Sequence, residues 1–155
     1  MSKPTLRERA LRHLARRDYT RAELAHKLAP YGTDEEIGAI LDRMGELSLQ
    51  SDARMAENWI RSHAGRFGRA RLENELTRRG VARELIENTL ASEALANEPE
   101  RAYAVWQTKF SAPPADAREW ARQARFLSAR GFAAEVVCAV LRNPPTHTEG
   151  ESETP

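Results

Sequence analysis

Three times along this chain a glycine is set between two apolar helical faces, and that recurrence restricts the fold more than any other feature. Leu24 and Leu28 lie one helical turn apart. Gly32 follows four residues later, and Ile37, Ile40 and Leu41 supply the next apolar face. Leu72, Leu76 and Gly80 repeat the Leu-x3-Leu-x3-Gly spacing, followed by Leu85, Ile86 and Leu90. Leu127 and Gly131 repeat its second half, followed by Val136, Val137, Val140 and Leu141. Apolar residues three and four apart read as helices. A unit returning every ~50 residues reads as a tandem helical repeat rather than one compact core.

Taken in order, Leu6, Ala10, Leu11 and Leu14 predict a first helix from about Thr5 to Arg16. Thr20 to Glu23 and Thr33 to Glu36 are capping boxes. In each, a threonine hydroxyl accepts from a first-turn amide while the glutamate reaches back, opening helices two and three. Ser51 or Asp52 can cap a fourth helix with Met55, Ala56, Trp59 and Ile60 inside. Gly65 and Gly68 bracket a turn. Gly80 ends helix five as a left-handed cap, where a Cβ would clash. Helix seven carries Ala102, Tyr103, Trp106 and Phe110; helix eight carries Trp120, Ala121, Ala124 and Leu127 and ends at Gly131. No segment alternates apolar and polar residues, so no sheet is expected. The expectation is an all-α, elongated tandem array of three three-helix repeats, about nine helices. The repeats span 1–50, 51–96 and 97–143, with a disordered acidic tail over 144–155.

Composition narrows the function classes. The chain has 155 residues and a formal net charge of +1, but 21 of its 24 basic residues are arginine. Arginine makes planar, bidentate contacts to carboxylate or phosphate, whereas lysine acts as a hydrated point charge. The bias is equally the mark of a genome rich in arginine codons. One cysteine, Cys138, allows no internal disulfide and reads as a small buried hydrophobe. There is no apolar leader and no run of 18 apolar residues, so a cytoplasmic protein with no membrane segment is expected. His13, His26, His63 and His147 are scattered, so neither a metal nor another cofactor is expected. Without a phosphate-binding glycine loop or a nucleophile beside a base, the chain does not read as an enzyme.

What remains as candidate site chemistry is arginine. Arg9, Arg12, Arg16 and Arg17 follow helical spacings along one flank of the first helix. They form either a partner- or phosphate-facing stripe or the solvated side of an amphipathic helix. Arg66, Arg69 and Arg71 surround the Gly65–Gly68 turn, where backbone amides can help hold an anion. Arg122, Arg125 and Arg130 repeat the theme in the third unit. Tyr19, beside Arg16 and Arg17, reads as an interface anchor or as packing between the first two helices. Leu24, Leu28, Gly32, Leu72, Leu76, Gly80, Leu127 and Gly131 read as the repeat's structural core.

Ordered agreement across all three units carries a family resemblance. The stretch from Ala10 through Arg16-Arg17-Asp18-Tyr19-Thr20 to Glu23-Leu24 and Leu28 resembles the first-repeat signature of the RecX family of bacterial recombination regulators. Asp52-x-x-Met55-Ala56, then Phe67-Gly68-x3-Leu72-x2-Glu75-Leu76-x3-Gly80-Val81, is similar to the second repeat. Ala124-Arg125-Phe126-Leu127-x2-Arg130-Gly131-Phe132 is similar to the third. In the first unit, the spacing from Gly32 to the later apolar pair is one residue shorter than in the others. The resemblance implies an all-helical, elongated protein that binds the filament of the RecA recombinase; a monomer is expected, and the arginine excess supplies partners for direct DNA contact as well. The resemblance also implies inhibition of strand exchange, ATP hydrolysis and coprotease activity. A helix-turn-helix DNA-binding regulator and a generic helical interaction scaffold are the alternatives.

Overall fold

The computed structural model describes residues 2–93 and 97–143. Among them are nine α-helices, one short 3₁₀ turn and no strand. The helices are α1 (Leu6–Arg16), α2 (Arg21–Leu28), α3 (Asp34–Glu46), α4 (Asp52–His63), α5 (Arg69–Arg78), α6 (Arg83–Ser92), α7 (Glu98–Gln107), α8 (Ala117–Ala129) and α9 (Ala134–Arg142). The all-α, three-helix-repeat architecture is as the sequence predicts. The expected acidic tail and His147 lie outside the described residues.

Helix starts follow local chemistry. Thr20 and Thr33 accept from the amides of Glu23 and Glu36 at 3.0 and 3.2 Å, and both glutamates return the bond. Thr5 and Glu8 form a third capping box at the head of α1. Ser51 caps α4 through the amide of Arg54 at 3.2 Å. Asp52 does something else: its carboxylate accepts from the Arg21 amide at 2.7 Å, at the start of α2. There it neutralises an orphan first-turn donor of a different helix.

Helix ends divide into two kinds. Gly80 (φ +84°) and Gly131 (φ +91°) close α5 and α8 in the left-handed region. In both, the following residue's amide reaches back five residues into the helix, Val81 to Leu76 O and Phe132 to Leu127 O, the bonding of a Schellman motif. Ser48 (φ +58°) does the same for α3 without a glycine, with Leu49 N–H on Met44 O at 2.9 Å. Gly32 matches the spacing but not the conformation. A 3₁₀ turn, Ala29–Tyr31, containing Pro30 follows α2, and Gly32 is extended (φ −169°). That different turn accounts for the one-residue discrepancy in the first unit.

The described residues divide into two compact units, 2–62 with 73–93, and 63–72 with 97–143. The division falls inside α5. In the first unit Ala10, Tyr19, Leu24, Leu28, Ile37, Leu41 and Met44 form one core from α1, α2, α3 and the α1–α2 connection. In the second, Ala102, Val105, Trp106, Phe110, Leu127, Phe132, Val137, Val140 and Leu141 form another. Leu72 and Leu76 are fully buried.

Several inward assignments differ from the sequence reading. Ala121 is exposed, and the neighbouring inward position of α8 is Gln123. Its amide oxygen accepts from Trp106 Nε1 at 2.8 Å and its nitrogen donates to Ala112 O at 3.2 Å. A polar residue is tolerated there because it satisfies an indole donor that would otherwise be stranded. Leu11 is 37% exposed, since it falls on the far side of α1 from Ala10. Cys138 is half-buried rather than buried: it lies on the open side of α9, beside Val137, which takes the inward position. Trp106 is buried, while Trp59 and Trp120 are half-buried.

Candidate functional site

Each unit carries its own arginine surface. In the first unit, successive residues of α1 turn by about 100°, so Arg9, Arg12 and Arg16 fall within an arc of roughly 60°. Arg9 lies 3.5 Å above the ring of Tyr31, which is 52% exposed. Arg12 and Arg16 are exposed and make no ion pair with a described residue. Arg17 is differently placed. It stacks 3.6 Å above Tyr19, pairs with Glu23 at 3.1 Å and donates to Asp18 O. Tyr19 itself is only 7% exposed and belongs to the first core. Its ring therefore serves as the platform under Arg17.

His13 sits beside this stripe, edge-on to Tyr19 at 5.5 Å. Its pKa is lowered from 6.5, chiefly by burial and further by the positive charges of Lys27, Arg16 and Arg17. Lys27, an exposed residue of α2, thus joins the field of the α1 arginines. No sequence signal points to this, because the juxtaposition depends on how α2 packs against α1.

In the second unit the structure joins two sequence clusters far apart in the chain, with Arg71 and Ala129 58 residues apart. The Gly65–Gly68 turn lies against the turn after α8. Gly68 N–H donates to Arg130 O at 2.8 Å, and Ala70 N–H to Gly131 O at 3.3 Å. Arg71 Nη1 donates to Ala129 O at 3.1 Å. A Cβ on Gly68 would stand 2.4 Å from Gly131 O, and one on Gly131 would stand 2.3 Å from Arg71 Cβ. Two glycines face each other because nothing larger fits. Around this junction Arg66 and Arg71 share the ring of Phe67, at 5.7 and 4.5 Å, and Arg130 lies 5.0 Å from Phe126. None of these three is ion-paired with a described residue; their guanidinium groups face aromatic rings and a carbonyl. Arg69 is exposed on the first turn of α5.

Arg122 and Arg125 are not part of this cluster. They lie one to two turns before Arg130 on α8. Arg122 pairs with Glu119 at 3.3 Å and Arg125 donates to Ala121 O at 3.2 Å. The sequence reading also missed Arg101, which is only 8% exposed. It donates to Ala64 O at 3.0 Å and to Phe67 O, and it pairs with Glu98. Buried arginine at the carbonyls of a turn fixes that turn's shape. Its only sequence cue is a charge interrupting the apolar spacing of α7.

The arrangement offers fixed, planar cations on an all-helical frame, suited to carboxylate or phosphate. Among the described residues no group of three or more His, Cys, Asp or Glu is placed to hold a metal. No described helix is long and apolar enough to cross a membrane.

Comparison with known proteins agrees with this frame. Residues 7–44, 51–90 and 97–141 match the family models described as RecX, first, second and third three-helix domain. The regulatory protein RecX of Leptothrix cholodnii is 46% identical over 140 residues, covering 89% of this chain and 88% of that one. That of Chromobacterium violaceum is 42% identical over 139 residues, covering 88% and 89%. The crystal structure of RecX from Lactobacillus salivarius superposes with a TM-score of 0.73 at 18% identity, covering 88% of this chain and 92% of that chain. With three consecutive domain matches and these relatives, the chain belongs to the RecX family.

Proposed function

We propose that this protein binds the RecA–DNA filament and inhibits it, lowering ATP hydrolysis, strand exchange and coprotease activity, and so regulating DNA repair and recombination. It acts as a monomer in the cytoplasm and by binding rather than by catalysis. The observation that carries the reading is a set of arginines without carboxylate partners among the described residues, Arg12 and Arg16 exposed on α1 and Arg66, Arg71 and Arg130 on ring faces, in a chain of a family named for regulation. Such groups keep their charge for an acidic protein surface or for phosphate, and ring stacking limits the entropy lost on binding. The Arg12–Arg16 stripe and the Arg66, Arg71 and Arg130 cluster are the proposed contacts. Arg9 and Arg17 flank the first on Tyr31 and Tyr19, Arg69 flanks the second, and Arg122 and Arg125 lie along α8.

The helix-turn-helix alternative is less well supported. A recognition helix must present base-reading side chains to the major groove. The helices after the three turns instead carry exposed acids in the first turn: Asp34, Glu35 and Glu36 on α3, Glu84 beside Arg83 on α6, and Glu135 on α9. These repel phosphate. The test is ATP hydrolysis by preformed RecA filaments on single-stranded DNA. Hydrolysis is expected to fall at saturating protein, and R66E/R71E/R130E to need roughly tenfold more protein, the loss of about 1.4 kcal/mol. Unchanged hydrolysis with wild-type protein rejects the reading.

A further inference from the structure

In the first unit one histidine sits among cations. His13 lies on α1 one turn after Arg9 and one turn before Arg16 and Arg17, the spacings that bring helical side chains together. Lys27 adds its charge from α2. Arg12, Arg16 and Lys27 are exposed and make no ion pair with a described residue. The acids of α1, α2 and their connection are engaged elsewhere. Glu8 accepts from the Thr5 amide at 3.1 Å, Asp18 accepts from Arg54 and Asn58, and Glu23 pairs with Arg17 and Arg79. His26, the other histidine of α2, is exposed. α3 turns the apolar Ile37, Leu41 and Met44 inward, and Tyr19 meets the His13 ring edge-on.

Burial, and then the charges of Lys27, Arg16 and Arg17, lower the His13 pKa from 6.5. An anion set over those cations cancels their repulsion and favours the protonated imidazole. We infer that Arg12, Arg16 and Lys27 form a two-helix site for carboxylate groups of the protein partner, and that His13 takes up a proton when they dock. This rests on the proposed role of the α1 stripe. The complex then holds more protons than the free chain, so binding tightens as pH falls. Carboxylate fits better than a phosphate backbone. Arg9, at the far end of the stripe, stacks on Tyr31, and Tyr31 is three residues from the exposed Asp34 and Glu35 at the head of α3, at most about 10 Å of chain. A nucleic-acid strand laid along Arg16, Arg12 and Arg9 runs on toward these acids, whereas a short acidic segment stops before them.

The experiment follows the His13 ring by NMR in the full chain from about pH 8 to pH 5, alone, with hexaglutamate and with oligothymidylate. Hexaglutamate is expected to raise the pH at which His13 titrates, and to do so less in K27M. An unmoved titration overturns the site. A shift given by oligothymidylate and not by hexaglutamate assigns the site to phosphate and overturns the carboxylate. In the filament assay the inhibitory concentration of wild type, divided by that of H13Q to cancel the filament's own pH response, is expected to fall roughly two- to fivefold between pH 7.5 and 6.0. A constant ratio overturns the proton uptake. Inhibition by a protein whose His13 never moves leaves the proposed function standing without this site. A moved His13 in a protein that does not inhibit keeps the site and rejects that function.

Discussion

The Gly80 turn and the Gly131 turn are closed by the same left-handed glycine, but what docks on each differs. At Gly80, in the first unit, the start of α2 approaches: a Cβ on Gly80 would stand 2.4 Å from Ala22 Cβ, and Thr20 Oγ1 donates to Arg79 O at 2.5 Å. At Gly131, in the second unit, the start of α5 approaches, and two bonds come from backbone, Gly68 N–H to Arg130 O and Ala70 N–H to Gly131 O, with Arg71 Nη1 on Ala129 O beside them. The approach is also closer. A Gly131 Cβ would meet Arg71 N at 2.6 Å as well as its Cβ. One architectural joint, the start of one repeat's second helix set on the next repeat's turn, is sealed by a threonine hydroxyl in one place and by main chain in the other. The backbone version brings the Gly65–Arg71 turn and Arg130 together, so the tighter joint is also where the candidate site is assembled.

Substitution at the two glycines would break the comparison most strongly. Gly131→Ala is expected to lose about 1–2 kcal/mol to the left-handed backbone and a further ~1–3 kcal/mol to overpacking against Arg71 backbone. Gly80→Ala carries the first cost and less of the second, because Ala22 presents only a methyl group. Urea unfolding of the pair should show Gly131→Ala as the less stable; equal losses would mean that the two joints are equally tight, and the reverse order that the Gly80 joint is the tighter. Thr20→Val sharpens the first joint. Thr20 is fully buried and both caps α2 and donates to Arg79 O, so a loss of about 0.5–2 kcal/mol is expected. Gly32→Ala should be mildest. Its φ is extended and the obstruction is the Leu6 methyl at 2.7 Å, the movable end of a side chain, so roughly 0.5–1.5 kcal/mol is expected.

The smallest effect concerns pH and the first unit. Burial and neighbouring cations lower the His13 pKa in the folded chain. The unfolded chain then takes up the proton at higher pH than the folded one. Stability is unaffected well above pH 6.5 and falls as pH drops through 6.5 toward the folded value. His13→Gln should reduce the loss of Tm between pH 7.5 and 5.5. An equal loss in both proteins would place the acid sensitivity elsewhere.

Much of the frame is legible in the sequence because its signals are local. Capping boxes at Thr20 and Thr33, leucines at helical spacing and Gly80 before Val81 act within a turn or two of the chain. The surfaces are less legible. Arg66 and Arg71 read as one cluster and Arg130 as part of another, and nothing in their spacing says that Gly68 faces Gly131. Arg101 looks like a solvent-facing charge until the 64–67 carbonyls are seen around it, and Asp52 looks like a cap for its own helix.

The sequence by itself therefore determined the helical class, the three-fold repeat and most helix boundaries, since hydrogen bonding within a few residues and periodic burial decide these. Tertiary structure alone decided what docks on each left-handed glycine, which charges are neutralised and which are left on ring faces. Those outcomes depend on the distance between atoms far apart in the chain, where a methyl group's difference in packing settles what fits.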